Sequence, residues 1–368
     1  MFRKLFQKSY DTVNVIEVDS ERLLKNINFF AEKSGQEVCP VLKSNAYGHG
    51  IEQVASIIDG YVNLAAVDGY FEANRIIKNT RGVHVICMGY VKPENFRHVD
   101  TRRVSFVVQS VDDLRAIAKC TGRNLKIHLE INTGMNRMGL KPDEIDDYLR
   151  ELACHDNFEL EGIMTHLADA DNADPTFTDR QVEIFDECVD KILDQGFAPK
   201  YFHIAASAGA LKVKSRFANL IRLGIGTYGI NPLTEGDPLY DILQQNLRPT
   251  LTLKSTIIKT IDLKEGDSVS YGCTFTAERP MRVAVLPLGY YEAIPRELSG
   301  VSPIVGRVCM NHTIIDITDK NLKTGSVVTV VSNNPNDFNS VNRLWRDHEI
   351  FPWDFLCKLS SDIRRRVV

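Results

Sequence analysis

A lysine placed at the end of a short apolar run is the residue of this chain most able to do covalent chemistry. Val38–Leu42 reads as a buried strand, and Lys43 follows in Val41-Leu42-Lys43-Ser44-Asn45-Ala46-Tyr47-Gly48-His49-Gly50. An amine at the mouth of a strand, walled by apolar neighbours, is poorly solvated as a cation and can act as a nucleophile. By itself this is a weak sign, because most lysines at strand ends are solvated. Other reactive or polar side chains close other apolar runs in the same way. Asn132, Met135 and Arg137 follow Leu125–Ile131; His166 follows 160–165; His203 and Ser207 follow 200–204; Arg222, Gly224 and Ile225 follow 219–223. On a parallel barrel the C-terminal strand ends form one rim, and active sites lie there.

Several of these residues fit the binding of an anion. The loops after the last two strands of such a barrel often hold phosphate. Ser207 offers a hydroxyl in Ala205-Ala206-Ser207-Ala208-Gly209, near an expected helix N-terminus. Gly224-Ile225-Gly226 offers backbone N–H groups that a ligand can approach closely. Tyr47, four residues beyond Lys43, adds a second hydroxyl. Each has a plainer reading: Ser207 as a helix N-cap, the two glycines as a tight turn, Arg222 as a rim arginine paired with a carboxylate, and Tyr271 as an amphipathic tyrosine on a strand surface.

The elements that must position these groups alternate along the chain. A strand at 13–18 leads to Ser20, an N-cap candidate for a helix over 21–32. Strands are expected at 37–42, 63–67, 83–87, 104–108, 125–131, 160–165, 200–204 and 219–223. Helical periodicity falls between them at 51–59, 69–78, 110–120, 142–153 and 177–195. Eight strands with helical crossovers predict a (β/α)8 barrel of the TIM type. The rival, a doubly wound open sheet, would carry a glycine-rich first turn, and no Gly-x-Gly-x-x-Gly follows the first strand.

Past Pro232 the texture changes to short strands broken by Gly, Pro and Asn: 251–261, 267–271, 282–287, 302–308, 312–317 and 326–331, with no long helical pattern until 354–359. We therefore expect a barrel over residues 12–240 and an all-β domain over 241–368. Residues 1–11 go with the latter, and the strand at 13–18 is a candidate to join it. At 368 residues, two domains are the prior. A net charge of −4 with mixed signs gives no footprint for nucleic acid or for a membrane surface. No apolar stretch reaches transmembrane length, and the first residues lack the apolar core of a signal peptide. Arg364-Arg365-Arg366 reads as a solvated basic tail. None of the eight cysteines forms a Cys-x-x-Cys pair, so no metal site or disulfide framework is indicated, and a reducing cytoplasm is the expected location.

Over residues 13–360 the motifs resemble those of the alanine racemases in order and spacing. The resemblance is carried by Val41–Gly50, by Asn-Thr-Gly-Met-Asn-Arg-Met-Gly at 132–139, by Thr165-His166, and by Ile-Arg-Leu-Gly-Ile-Gly-Thr-Tyr-Gly-Ile-Asn-Pro at 221–232. Ser270–Pro280, Pro287–Ser299 and Gly306–Met310 add to it. It implies pyridoxal 5'-phosphate held on Lys43, with Tyr47, Ser207, Gly224, Ile225 and Tyr228 around its phosphate. It implies Arg222 at the pyridine nitrogen, with His166 and His203 behind it. Arg137 and the backbone of Met310 would receive the substrate carboxylate, and Tyr290, Arg296, Arg307 and Asp171 would line the entrance.

The resemblance also implies a two-base racemase that interconverts L-alanine and D-alanine and supplies D-alanine for peptidoglycan. Lys43 would serve one face of the α-carbon. Tyr271, reaching in from the second chain of a homodimer, would serve the other, with His166 relaying the influence of Arg222. An arginine at the ring nitrogen makes a weaker electron sink than a carboxylate, which suits proton exchange and suppresses transamination. The alternatives are a racemase of serine or another small amino acid, a barrel-type pyridoxal-phosphate decarboxylase, and a non-enzymatic cofactor-carrying barrel. Arg222 argues against the decarboxylase, and the all-β domain against the carrier. Where many family members have a lysine modified to a carbamate this chain has Glu130, read as a built-in carboxylate that orients Arg137. Ala206, Asn311 and Ser361 are further departures.

Overall fold

The computed structural model describes residues 10–368, apart from the side chain of Trp345. The chain forms two compact units. One is Ser20–Thr250; the other joins the described residues up to Asp19 to Leu251–Val368.

The strand β1 (Asn14–Val18) belongs to the second unit. The first unit opens on the helix Ser20–Ser34, which buries Leu23, Asn26, Ile27 and Phe30. That is the i, i+3, i+4, i+7 spacing of one helical face. Glu21 in its first turn and Lys33 in its last oppose the charges of the helix dipole. Ser20 is the first helical residue instead of the cap, and the helix runs two residues past Glu32.

Eight parallel strands come next: β2 (Glu37–Pro40), β3 (Leu64–Val67), β4 (His84–Cys87), β5 (Val104–Val108), β6 (Leu125–Glu130), β7 (Phe158–Met164), β8 (Tyr201–His203) and β9 (Leu220–Leu223). Strands β3 to β8 pair in sequence order, and β2 pairs with β9 so that Cys39 lies opposite Arg222. A bridge from Val41 to Ala66 joins β2 to β3. The bonds Asn219 N–H to Phe202 O and Arg222 N–H to Ala205 O, both 3.0 Å, tie β9 to β8. The sheet is thereby closed into the expected barrel. Every residue of β3 and β5 is buried, as in a parallel sheet covered on both faces. Helices Ile51–Ile58, Tyr70–Asn79, Val111–Cys120, Ile145–Leu152 and Thr176–Asp194 form crossovers. A short helix at Tyr240–Asn246 was not expected; only Leu243 is buried on it, so it carries no apolar period.

The second unit is rich in strands. β10 (Leu251–Thr256) and β11 (Lys259–Leu263) replace the single run expected over 251–261; the chain leaves one sheet at Ile257 and joins another. β12 (Ser268–Val269) and β13 (Phe275–Thr276) form a hairpin. β14 (Met281–Leu286) lies between β11 and β15 (Thr313–Asp316). β16 (Val327–Val331), β10, β1 and β17 (Arg364–Val367) complete a four-stranded sheet in that order.

Three expectations are corrected here. Residues 302–308 are not a strand, and one bridge from Ile304 to Ile315 is their only ladder contact among the described residues. A helix covers Val341–His348, where two buried anchors, Val341 and Leu344, were too few to show a period. Arg364–Arg366 is not a tail: it pairs in parallel with β1. Glu17 on β1 holds Arg366 in an ion pair and binds Lys254 at 2.6 Å.

Candidate active site

Lys43 stands just after β2, at the start of a turn of unusual handedness. Ser44, Asn45, Ala46 and Tyr47 have φ of +54, +56, +53 and +49°. Four L-residues in a left-handed turn cost about 1–2 kcal/mol each, so neighbours must hold them. Glu72 accepts the Ser44 N–H at 2.6 Å. The Asn45 side-chain oxygen accepts from Ile51 N–H at 3.0 Å and Arg75 Nη2 at 3.2 Å. His49 Nδ1–H donates to the carbonyls of Ala46 and Tyr47 at 3.1 and 3.0 Å. Gly48 then takes φ +81° and ends the turn. The Lys43 amine has no hydrogen-bond or ion-pair partner among the described residues.

Arg222, on β9, is 2% exposed. Burial pulls its pKa down to about 10, so it remains a cation at neutral pH. Its Nη1 donates to His203 O (2.5 Å) and His203 Nδ1 (3.1 Å). Its Nη2 donates to Thr165 O (2.7 Å), Ile204 O (3.1 Å) and His166 Nδ1 (3.1 Å). Nε–H alone meets no acceptor among the described residues. Arginine only donates, so both histidines must offer lone pairs to it. Burial, aided by Arg222, Arg137 and Lys43, pulls His166 down to about 3, and burial also holds His203 far below the usual histidine range. Both rings are neutral at pH 7.

Tyr47, Ser207 and Gly224 come together from three strand ends. A Cβ built on Gly224 would lie 3.0 Å from Tyr47 Oη and 3.8 Å from Ser207 Oγ. The bare glycine therefore leaves a space faced by two hydroxyls. Gly226 N–H donates to Ser207 Oγ at 3.1 Å. No helix follows Ser207; residues 207–212 form turns, so the N-cap reading is corrected. Ile225–Tyr228 is a single 3-10 turn. Tyr228 Oη donates to Val41 O at 2.9 Å, and its ring packs on Tyr47 at 5.2 Å and His49 at 4.3 Å. Tyr228 thus braces the wall behind Tyr47.

Arg137 is exposed on the loop after β6, while Glu130 at the end of that strand is buried. Asn132 Oδ1 shapes the loop by accepting from Gly134 N–H (3.1 Å) and Asn136 N–H (3.0 Å). Glu130 accepts from Gln109 Nε2 at 3.0 Å. Burial raises its pKa, and Arg222 and Arg137 oppose that rise through space. Glu130 and Arg137 form no direct ion pair among the described residues.

Tyr271, Tyr290 and Met310 lie in the second unit. Tyr271 is 72% exposed and follows Ser270, whose φ is +68°. Ser270 Oγ donates to Arg307 O at 2.9 Å. Tyr290 N–H donates to Cys309 O and Tyr291 N–H to Met310 O, both at 3.0 Å. The Arg296 guanidinium lies 5.5 Å from the Tyr290 ring centre. Arg307 to Met310 thus links the Tyr271 turn to the Tyr290 turn.

Sequence reasoning missed the residues that hold the site. Glu72, Arg75 and His49 fix the turn at Lys43, and Thr165 O helps to anchor Arg222. Asn45 was the one available signal, being a residue that tolerates left-handed backbone.

Comparison with known proteins finds relatives of both regions of the chain. The family described as "Alanine racemase, N-terminal domain" matches residues 18–232, and "Alanine racemase, C-terminal domain" matches 250–367. An alanine racemase of Desulforamulus reducens is 32% identical, over 82% of this chain and 85% of that one. An alanine racemase of Methanococcus maripaludis is 29% identical, over 95% of this chain and 97% of its own length. The solved alanine racemase of Clostridium difficile 630 superposes with a TM-score of 0.88 at 25% identity, covering 98% of this chain and 97% of that one. By its two domains, its barrel and its relatives, this chain belongs to the alanine racemase family.

Proposed function

We propose that this chain is a pyridoxal-phosphate-dependent racemase of alanine, acting as a homodimer. The reading is carried by the Arg222 clamp. Both terminal nitrogens of the guanidinium are committed to protein acceptors, and Nε–H is left to meet a ring nitrogen. The chain's own residues fit the cofactor at its other end as well. Gly224, bare of a Cβ, leaves its backbone open to close approach, with the Tyr47 and Ser207 hydroxyls beside it. Lys43 is the amine that would carry the aldehyde carbon.

When bound, the cofactor withdraws electrons and acidifies the α-proton of an amino acid joined to it. Arg222 would offer its Nε–H to the ring nitrogen and cannot usefully protonate it, so the group held there would be a weak electron sink, suited to returning the proton to the α-carbon. The Lys43 amine takes or gives that proton on one face. The Tyr271 phenol does so on the other, supplied by the second copy of the chain. Arg137 and the Met310 backbone N–H hold the substrate carboxylate, with Tyr290 at the entrance.

Circular dichroism of L-alanine, and separately of D-alanine, with enzyme and added cofactor tests this reading. Both signals should decay to zero. Lys43→Ala should abolish that decay and the visible absorbance of the bound cofactor together. Persistent exchange in Lys43→Ala, or exchange of serine with none of alanine, overturns the assignment.

A further inference from the structure

Below Arg222 the barrel carries a file of polar side chains that the racemisation chemistry does not use. His203 Nε2 lies 2.8 Å from His128 Nδ1. His128 Nε2 lies 3.3 Å from Glu161 Oε2. Glu161 also accepts from Ser105 Oγ, and from Lys126 Nζ at 2.6 Å. His84 Nε2 lies 2.6 Å from Ser105 Oγ. His128, His203 and Ser105 are fully buried, while the Lys126 side chain is 40% exposed. The file therefore runs from near the beginnings of β4, β5 and β6 to the C-terminal ends of β8 and β9.

The barrel makes room for it. A Cβ on Gly162 would lie 2.3 Å from His128 Nδ1, so only glycine at that place on β7 admits the ring. The β6–β7 register shifts at the same point, between Ile127 and His128. The His128 ring stands edge-on to His203, with centres 4.9 Å apart and planes at 81°. This is a built position rather than an accident of packing.

Hydrogen positions in the file are set by its two ends. Arg222 has no lone pair, so its bond to His203 Nδ1 holds only while that atom accepts and Nε2 carries the proton. His128 Nδ1 then accepts from His203, and His128 Nε2 carries a proton toward Glu161. From the other end, an ionised Glu161 only accepts, which again demands the proton on His128 Nε2. Burial pushes the Glu161 carboxyl up, but its bonds from His128, Lys126 and Ser105 outweigh this and hold it well below the usual carboxylate range. Both ends dictate the same orientation, and neither ring is charged.

We propose that His128 and Glu161 are positioning residues that lock His203 as the Nε2–H tautomer, so that its Nδ1 lone pair fixes the Arg222 guanidinium. If the file reversed, His203 would turn an N–H toward Arg222, donor against donor, and the guanidinium would lose one of the acceptors that orient it. The tautomer lock stands on the protein alone. Its effect on turnover rests on the racemase reading of the site.

Long-range proton–nitrogen correlation spectra of the cofactor-bound protein, labelled with nitrogen-15 in its nine histidines, read the tautomers directly. His128→Gln supplies the assignment. At neutral pH, His128 and His203 should both show the neutral Nε2–H pattern; Nδ1–H or imidazolium patterns overturn the proposal whatever any variant does. Glu161→Gln presents an amide N–H to His128 while its oxygen still accepts from Lys126, so the file should reverse. We expect the His203 pattern to switch to Nδ1–H and kcat for alanine to fall about tenfold or more, the loss of one hydrogen bond to a charged group. KM should change by less than about twofold, because the carboxylate site is untouched. A switched tautomer with unchanged kcat overturns the positioning role. Lys126→Met removes an exposed partner but no acceptor from the file, and should leave both tautomers as they are. If the spectra come out as expected but wild-type protein does not racemise alanine, the racemase reading fails and the lock survives.

Discussion

Replacing Tyr47 by phenylalanine isolates one hydroxyl of the proposed anion cradle. The ring stays, and with it the packing on Tyr228 at 5.2 Å and on the barrel interior near Cys39, Val41 and Met164. The backbone cost also stays, because tyrosine and phenylalanine meet the same hindrance at φ +49°. What goes is the oxygen that lies 3.0 Å from where a Gly224 side chain would sit. A hydrogen bond to a charged group contributes about 1.5–3 kcal/mol, so the cofactor should bind about 10- to 150-fold more weakly. The attachment through Lys43 is common to both proteins and cancels in the ratio. Titrating cofactor into apoprotein, followed by visible absorbance, gives the two dissociation constants. Melting of the two apoproteins, expected to agree within about 0.5 kcal/mol, guards against a folding effect. Equal affinities would show that Tyr47 Oη does not face the phosphate, and the cradle would have to be placed elsewhere.

Two other perturbations probe buried titratable groups of the barrel. Glu130→Gln should lower kcat/KM for alanine about tenfold, by removing the buried negative charge whose field reaches Arg137 and Arg222; an unaffected enzyme would refute the role. Acid should weaken the fold through His84, whose pKa burial pulls down to about 4. The unfolded chain binds that proton near the ordinary value of about 6.5, so stability is intact above it and falls as pH drops toward 4, by on the order of 3 kcal/mol. Denaturant melts across that range should show the fall, and His84→Gln should flatten it; an equal slope in the variant would exclude His84 as a source.

The barrel was legible because a parallel sheet buries both faces. Its strands appear as unbroken apolar runs such as Leu64–Val67 and Val104–Val108, and the groups that end them fall on one rim. The second unit was harder to read. Short strands broken by turns look alike whether or not they pair: 302–308 had the texture of a strand but only one bridge. Arg364–Arg366 had the composition of a tail, yet β1 offers it a free edge and Glu17 a counter-charge. Within the site, residues at strand ends could be picked out, and those inside strands could not. His128 lies in Leu-Lys-Ile-His-Leu-Glu, where one polar residue among apolar ones resembles noise. Its meaning appears only when Gly162, 34 positions on, leaves room for the ring. The left-handed turn at Ser44–Tyr47 was equally hidden, since the contacts that hold it come from residues 49–75.

The place of β1 has a consequence for synthesis. This strand is translated before the barrel, yet its two neighbours, β10 and β17, both follow the barrel in the chain. At roughly 5–20 residues per second, β1 waits on the order of half a minute for Arg364–Val367 to be made. Ser20–Thr250 is continuous and faces no such delay. The barrel can therefore fold on the ribosome while Asn14–Val18 remains an unpaired apolar edge. During that nascent interval the unpaired edge is open to mispairing.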